Sequence, residues 1–428
     1  MTPVEKIKPQ DWMTRPATRA VMAALAASGA TARFVGGCVR DALLRRAVGD
    51  IDIATDAAPD AVIAALEKAK IRAIPTGLAH GTVTAVVADA TGEKHQFEIT
   101  TLRRDVETDG RHARVAFTDD WAADAARRDF TMNALFLDMD GRLYDPCGGL
   151  DDAKRGRVRF VGDPALRLEE DVLRLLRYFR FFAHYDRAPA DAAALAACRA
   201  AAPQLPGLSG ERVRQELLKL LAAPDPGPAV KLMAEAGAFA HLLPEATAVA
   251  RLAALPALER REGARRDPLR RLAALIEVHA AGAEQVAARL RLSNMEKTRL
   301  TALAAPELPV MAGLSGGLLN RVLHRLGGPL MRDLALLAWA DDAANGQADD
   351  QTADDQAYVR LIAAADCWRP RVFPLTGQDA LAFGLPPGPA VGRALAAAED
   401  WWIERGFAPD RDACLAYLRD MISTGDAA

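Results

Sequence analysis

The chain has 428 residues, 50% hydrophobic and 26% charged, a balance that suits about two to four globular domains and excludes a disordered or membrane protein. Its formal net charge of −3 counts weakly against a nucleic-acid binder, although a local basic patch can still bind phosphate. The chain has no apolar run of about 18 residues and no apolar N-terminal segment, which argues against a membrane-spanning helix and a secretory signal and predicts a cytoplasmic protein. Its cysteines are not closely spaced, which argues against a disulfide framework or a zinc site.

The first 150 residues combine strand and helix patterns. Several short runs, most of them alternating between apolar and polar residues, end in turn residues, which predicts strands and two hairpins. These runs are ARFVGG (32–37), GDIDIAT (49–55), GTVTAVVADA (81–90) with KHQFEITTLR (94–103), and residues 135–137 with 142–144. The segment that follows the first hairpin, 102–127, is expected to be a flexible loop in part.

From about residue 160 the pattern changes to Ala, Leu, Arg and Glu at a period near 3.6, which predicts helices. Examples are residues 169–185, 209–221, 226–238 and 268–290. The acidic stretch NGQADDQTADDQ (345–356) predicts an exposed loop or linker. The chain therefore divides into a head of mixed strands and helices and a long all-helical remainder.

Two carboxylates stand two residues apart in the predicted strand GDIDIAT. On an extended strand Asp50 and Asp52 point to one side, while Ile51 and Ile53 point to the other. Adjacent carboxylates repel each other unless they share divalent cations, and Mg²⁺ prefers oxygen ligands. Such a pair can hold two Mg²⁺ ions beside a transferring phosphoryl group. The alternative is an ordinary half-exposed strand with acidic outer residues.

A glycine turn lies just before this strand, in FVGGCVRDALL (34–44). Gly36 and Gly37 end a strand and begin a helix, which is a common phosphate cradle, and Arg40 follows one turn later. Glu98 lies on the polar side of the strand QFEIT and is a candidate third catalytic carboxylate, or else a solvated strand residue.

A charged side of the predicted helix 169–185 has a composition suited to reading bases. Asp171, Arg174 and Arg177 follow one another at i+3. Cytosine and adenine each present an exocyclic amine beside an unprotonated ring nitrogen, so a carboxylate can accept from the amine and a guanidinium can donate to the nitrogen. Uracil and guanine reverse this pattern, and buried mismatches of that kind are costly. The alternative is a solvated surface with an i, i+3 ion pair between Asp171 and Arg174.

The motifs together resemble the bacterial tRNA nucleotidyltransferase and poly(A) polymerase family of polymerase-β-type nucleotidyltransferases. GGCVRD followed by DIDIAT is similar to the first motif of that family, and RRDFTMNALFLD (127–138) to its second. TGLAHGTVT (76–84), FEITTLRRD (97–105), EDVLRLLRYFRF (170–181) and ERVRQELLKLL (211–221) follow in the family's order. The series covers about 190 contiguous residues, so chance is a poor explanation.

The resemblance implies an α+β fold with a polymerase-β-like nucleotidyltransferase head, a small mixed sheet with helices, followed by an all-α neck, body and tail. It implies a catalytic head over 1–150, a helical neck for base recognition over 151–225, and a helical, tRNA-binding body and tail over 226–428. It also implies the substrates CTP, ATP and tRNA, and it indicates no membrane or protein partner.

Residue roles follow from the motifs and from the resemblance. Asp50, Asp52 and Glu98 are the expected catalytic residues, and the first two are the expected Mg²⁺ ligands. The element Glu170, Asp171 and Arg174 is expected to read the base. The expected nucleotide-binding residues are Gly36, Gly37, Arg40, Arg127, Arg128, Asp129, Asn133, Asp171, Arg174, Arg177 and Arg180. Asp129 and Asn133, in a predicted helix DFTMNAL, have helix capping and local bracing as their alternative role.

The tRNA-contacting residues are not determined by the sequence. Candidates for phosphate contact lie in the arginine-rich stretch 260–271 and in GLPPGPAVGR (384–393), with a solvated surface or a helix connection as alternatives. Trp401 and Trp402 suit base stacking or core packing.

Two departures from the poly(A) polymerase pattern and the length of one segment favour one activity within the family. The place where poly(A) polymerases have a basic G-R-R-F-like segment reads TGLAHGTV, and their long basic C-terminal tail is missing. The segment 102–127 is as long as expected for complete CCA addition, while CC-only enzymes are reduced there. We therefore expect CCA addition, with poly(A) polymerase, a partial CC- or A-adding enzyme, and an inactive RNA-binding protein as alternatives.

Overall fold

The computed structural model describes residues 1–428 except 90, 110–111, 186, 347–350 and 425–428, and it leaves out the side chains of 105–114 and 347–353. The chain forms two compact units, Met1–Ala223 with Pro228–Pro244, and Pro224–Gly227 with Glu245–Ala428. The division into head, neck and body stays a prediction, because these units follow other boundaries.

The described residues of the first unit form ten strands. They are β1 (Glu5–Lys6), β2 (Ala32–Val35), β3 (Ile51–Thr55), β4 (Arg72–Gly77), β5 (Thr82–Ala88), β6 (Lys94–Thr101), β7 (Arg103–Asp109), β8 (His112–Phe117), β9 (Phe136–Leu137) and β10 (Arg142–Tyr144). Eight of them form one sheet in the order β1-β10-β9-β2-β3-β6-β5-β4, in which β3 and β6 are parallel and the other neighbours antiparallel. The predicted strands and both predicted hairpins are confirmed.

The sheet has an apolar side because its strands alternate. Ile53 and Ile99 are fully buried, while Asp52 and Glu98 lie on the opposite side of the same strands. The segment expected to be a flexible loop, 102–127, instead contains the antiparallel hairpin of β7 and β8 and a helix that begins at Trp121. The expectation of a loop is therefore wrong where β7 and β8 pair, and residues 110–111 of the segment lie outside the described part of the chain.

Twelve helices begin among the described residues up to Ala238. They are α1 (Asp11–Thr14), α2 (Pro16–Ala27), α3 (Gly37–Leu43), α4 (Pro59–Lys68), α5 (Trp121–Ala126), α6 (Gly149–Arg155), α7 (Pro164–Glu170), α8 (Leu173–Tyr185), α9 (Ala192–Ala201), α10 (Gly210–Leu221), α11 (Gly227–Glu235) and α12 (Ala238–Leu242). Where a helix DFTMNAL was predicted, the chain forms a 3₁₀ turn over Thr131–Asn133.

The predicted helix over 169–185 is interrupted at Asp171. That residue has extended backbone angles, φ −157° and ψ 104°, between the end of α7 and the start of α8. Its carboxylate accepts a hydrogen bond from the backbone N–H of Leu173 at 3.0 Å. The side chain thus competes with the helix for a backbone donor, which is the usual reason that Asp ends or begins helices.

All the regular secondary structure in the described residues of the second unit is helical. Its helices are α13 (Val249–Arg261), α14 (Pro268–Leu275), α15 (Ala280–Arg289), α16 (Asn294–Ala304), α17 (Gly316–Asn345), α18 (Gln351–Cys367), α19 (Gly377–Ala382), α20 (Pro389–Glu404) and α21 (Arg411–Thr424). The linker predicted over 345–356 is wrong from Gln351, where α18 begins, and its residues 347–350 lie outside the described part of the chain. In the described parts of both units, no helix is long and apolar enough to cross a membrane.

Two of the candidate RNA contacts in the second unit are buried instead. Arg270 and Arg271 are 4% and 1% exposed, and both donate hydrogen bonds to the carboxylate of Glu259, at 2.7 and 2.6 Å. Trp402, 4% exposed, packs in the hydrophobic core, while Trp401 stacks on Tyr417 with ring centroids 4.4 Å apart. The contacts of Trp401 and Trp402 therefore support core packing, and those of Arg270 and Arg271 support buried ion pairing.

Candidate active site

A cavity of about 550 Å³ opens in the first unit and is lined by nearly all the predicted site residues. We call it the first cavity. Its lining residues are Gly36, Gly37, Arg40, Asp52, Arg127, Arg128, Asp129, Asn133, Asp171, Leu173, Arg174, Arg177, Arg180, Phe181 and Arg212. Asp50, Glu98 and Glu170 are the predicted residues that do not line it, and Leu173, Phe181 and Arg212 are additions that the sequence did not indicate.

The acidic side of the first cavity is built on β3 and β6. Because these strands are parallel and Asp52 pairs with Glu98 in register, the two carboxylates lie side by side on one side of the sheet. Asp50 is exposed just before β3, and the three carboxylates do not all come within 4.8 Å of one another among the described residues. Burial and the nearby carboxylates Glu98 and Asp50 together raise the pKa of Asp52 to about 6, against the lowering effect of Arg128 and Arg40. The cluster therefore has an excess of negative charge that a cation would relieve.

The glycine turn brings the backbone close to this acidic side. Gly36 has a positive φ of 73°, and a Cβ placed there would lie 3.7 Å from Asp52 Oδ2 and 3.8 Å from Arg128 Nη1. Any larger side chain would thus extend into the space between the carboxylate and the arginine, besides meeting backbone strain. The turn leaves that space free for a ligand.

A connected network of hydrogen bonds fixes four of the predicted residues. Arg40, 6% exposed, donates from Nη1 to Asn133 Oδ1 at 2.6 Å, and Asn133 Nδ2 donates to Asp129 Oδ1 at 3.0 Å. Asp129 Oδ2 in turn accepts from Arg177 Nε at 2.8 Å. Burial alone would raise the pKa of Asp129, but the Arg177 guanidinium and the Asn133 amide hold it below its usual value. Asp129 and Asn133 therefore hold Arg40 and Arg177 in place, which agrees with the local bracing considered for them and not with helix capping.

Arg127 and Arg128 are held by a residue that the sequence analysis did not single out. Asp124, 1% exposed, lies 2.7 Å from Arg127 Nη2 through Oδ1 and 2.8 Å from Arg128 Nη2 through Oδ2. Burial would raise the pKa of Asp124, but the two guanidinium groups lower it. The spacing of Asp124 from the two arginines, i+3 and i+4 on a short helix, is a signal that sequence reasoning could have used.

The acidic and basic groups expected to read the base have different partners from those considered. Arg174 pairs with Glu170 and donates to the backbone carbonyl oxygen of Arg167 at 3.0 Å. Asp171 Oδ2 accepts from Arg212 Nη2 at 2.6 Å. The i, i+3 ion pair between Asp171 and Arg174 is therefore wrong, because the break in the helix at Asp171 turns its carboxylate toward α10. Both residues still line the first cavity.

Arg180, the last of the predicted arginines, also lines the first cavity and contacts α10. Its Nε lies 3.0 Å from Oε2 of Glu216, which is 6% exposed, and Glu216 Oε1 lies 3.8 Å from Arg177 Nη1. Glu216 thus braces Arg177 and Arg180 from a second helix, and Arg212 on the same helix braces Asp171. Sequence reasoning could not find these contacts because they join segments about 40 residues apart.

Comparisons with known proteins agree with this geometry. A family model described as the poly A polymerase head domain matches residues 32–159, and one described as a probable RNA and SrmB-binding site of polymerase A matches 191–249. The mitochondrial CCA tRNA nucleotidyltransferase 1 of Danio rerio is 33% identical over 400 residues, which are 90% of this chain and 86% of that protein. A CCA-adding enzyme of Bacillus licheniformis is 39% identical over 50% of this chain and 52% of its own length. The crystal structure of the Bacillus stearothermophilus CCA-adding enzyme in complex with CTP is 29% identical, with a TM-score of 0.73 over 96% of this chain and 99% of that one.

Proposed function

Because the chain belongs to the family of CCA tRNA nucleotidyltransferases, we propose that it adds C, C and A from CTP and ATP to the 3′ end of tRNA without a nucleic-acid template. The observation on which this rests is the first cavity, which joins a carboxylate strand to a set of arginines and a possible base-reading pair. The 3′ oxygen of tRNA attacks the α-phosphorus, a new P–O bond forms, the bond to the bridging oxygen breaks, and pyrophosphate leaves.

Asp50 and Asp52 are the residues proposed to hold two Mg²⁺ ions, with Glu98 as a third carboxylate beside them. The donors fit this cation, since Mg²⁺ prefers oxygen ligands and takes several of them from water and phosphate. Burial and the neighbouring carboxylates Glu98 and Asp50 raise the pKa of Asp52, so a cation at this position would stabilise its ionised form. When bound, the ions would lower the pKa of the attacking hydroxyl and stabilise the leaving oxygens.

The arginines of the first cavity are proposed to bind and orient the triphosphate. Arg40, Arg127 and Arg128 border the glycine turn and the acidic strand, where the phosphates must lie if the α-phosphorus is to reach Asp52. Their charges oppose the charge of the triphosphate, and their buried partners hold them in place before the nucleotide arrives. Positioning and charge neutralisation of this kind account for most catalysis of phosphoryl transfer.

Asp171 and Arg174 are proposed to select cytosine and adenine. Arg212 donates to Oδ2 of Asp171 and the backbone N–H of Leu173 donates to Oδ1, and each carboxylate oxygen keeps a lone pair that can accept from an exocyclic amine. Arg174 is held by Glu170 and by backbone carbonyl oxygens, which limits the directions in which it can donate. Uracil or guanine would place acceptor against acceptor and donor against donor.

The helical second unit is proposed to bind tRNA. The protein is proposed to act in the cytoplasm.

Poly(A) polymerase is the second candidate function, because the family model over 32–159 is described by that activity. A partial enzyme that adds only CC or only A uses the same site chemistry and is a third outcome of the same test.

The test is incorporation of each labelled NTP, with Mg²⁺, into tRNA transcripts that end before CCA, at CC or at CCA, beside an unrelated RNA. We expect CTP and then ATP to be added to tRNA alone, followed by a stop. Long A runs on every RNA would instead show poly(A) synthesis, and a stop after CC would show a partial enzyme. Silence on all substrates would leave an RNA-binding protein.

A further inference from the structure

A second cavity of about 340 Å³ adjoins the first in the same unit. It is lined by Arg40, Arg180, Phe181, His184, Tyr185, Lys219 and Ala222. The first three of these also line the first cavity, so the two spaces meet at a wall made by two arginines and a phenylalanine. Its volume is within the range of small-ligand sites, about 300–1,000 Å³.

The second cavity is surrounded by cationic side chains. The guanidinium of Arg40 lies 4.2 Å from the ring centroid of Tyr185, and that of Arg46 lies 4.4 Å from the same ring. The guanidinium of Arg180 lies 4.8 Å from the Phe181 ring. These stacked contacts hold the charged groups along the aromatic walls, where they remain available to a ligand.

The carboxylates near these cations neutralise them in part. Asp41 accepts from Arg40 and from the Tyr185 hydroxyl at 3.0 Å, and Glu216 lies beside Arg180. Lys219 forms no ion pair with any described residue.

His184 donates from Nε2 to the backbone carbonyl oxygen of Lys219 at 2.8 Å. Burial lowers the pKa of His184, and the positive charges of Arg180, Arg46 and Arg40 lower it further. A proton on His184 is thus opposed by the same surplus of positive charge that would attract an anion.

We propose that the second cavity is an anion site that receives pyrophosphate as it leaves the first cavity. This rests on the proposed function, in which the base lies at Asp171 and Arg174 and the α-phosphorus at Asp52. The leaving phosphates then lie toward the glycine turn and Arg40, which belongs to both cavities. Arg40 and Arg180 can contact the leaving group first, and Lys219 at the far side offers a further ammonium charge.

The test uses the full chain with K219M, which keeps the length of the side chain and removes its charge. Its matched control is K231M, at an exposed lysine on α11 that lines neither cavity. The inhibition constant of inorganic pyrophosphate is measured in CMP addition to tRNA, together with the KM values for CTP and tRNA. Loss of one charge-assisted contact predicts that K219M raises the inhibition constant about tenfold more than it raises the KM for CTP. K231M should leave the inhibition constant of pyrophosphate unchanged, and K219R should restore most of the affinity for pyrophosphate.

Equal inhibition constants for K219M and wild type would overturn the proposal. A raised KM for tRNA with unchanged pyrophosphate inhibition would also overturn it, since the cavity would then hold a phosphate of the RNA backbone. Titration of the wild-type and K219M proteins with inorganic pyrophosphate by calorimetry needs no turnover. If the wild type adds no nucleotide, the proposed function fails. A weaker pyrophosphate affinity of K219M in the titration would still support the anion site in that case. An unchanged pyrophosphate affinity of K219M would reject the anion site.

Discussion

Replacing Asp124 with asparagine tests whether one buried carboxylate positions two arginines of the active site. Asp124 Oδ1 accepts from Arg127 Nε at 2.9 Å, and Oδ2 accepts from Arg128 Nη2 at 2.8 Å. Asparagine has nearly the same shape, but it lacks the charge and turns an N–H₂ donor toward one of the guanidinium groups. Both arginines should therefore lose their fixed orientation, and the KM for CTP and ATP should rise.

The size of the effect follows from burial. The Asp124 side chain is 1% exposed and its two partners are 16% and 17% exposed, so solvent screens these pairs poorly. Removing one partner of a buried ion pair destabilises a protein by about 3–5 kcal/mol, and we expect D124N to lower the free energy of unfolding of the first unit by that amount. If half of it reappears as weaker triphosphate binding, about 2 kcal/mol, the KM for both nucleotides rises about thirtyfold.

The assay is urea unfolding and nucleotide KM for wild type, D124N and D120N. Asp120 caps the same helix and accepts from Ala122 and Ala123 backbone N–H groups, and asparagine is an equally good cap, so D120N should be neutral. Since the folded pKa of Asp124 is lowered, its contribution is complete above the usual Asp pKa of about 3.9 and is lost as the pH falls through the folded pKa. The stability difference between wild type and D124N should thus be constant near neutral pH and shrink below about pH 4. A D124N protein with unchanged stability and unchanged KM would refute the reasoning.

Three further substitutions test the proposed metal site, the selection of the base and the stability of the second unit. D52N should lower the rate of CMP addition about a thousandfold, since a lost metal ligand is worth several kcal/mol of transition-state stabilisation; single-turnover kinetics within tenfold of wild type would contradict this. R212M should free the carboxylate of Asp171, raise the KM for CTP and ATP about tenfold and weaken discrimination against UTP, measured by competition; unchanged selectivity would remove Arg212 from base reading. E259Q should destabilise the second unit by about 3–5 kcal/mol in urea without changing the nucleotide KM, because Glu259 pairs with two buried arginines; a stable variant would show that hydrogen bonds suffice there.

The sequence by itself determined the strands of the head, the helical remainder and most of the lining of the first cavity. Alternation placed Asp52 and Glu98 opposite an apolar side, and the glycine turn required a positive φ at Gly36. These features are local, because the direction of a side chain on a strand and the steric freedom of glycine depend on one residue and its neighbours. The order of the motifs along the chain was enough to indicate the family.

Only the tertiary structure decided which charged groups are partners. A regular helix through Asp171 would have placed it beside Arg174, whereas the break at that residue directs its carboxylate to Arg212 on α10. In the same way, Arg270 in an arginine-rich stretch is buried against Glu259 and unavailable to RNA phosphates. Charged side chains are long, and several opposite charges lie within reach of each in sequence, so their partners are selected by the packing of distant helices and by the high cost of leaving a buried charge unpaired.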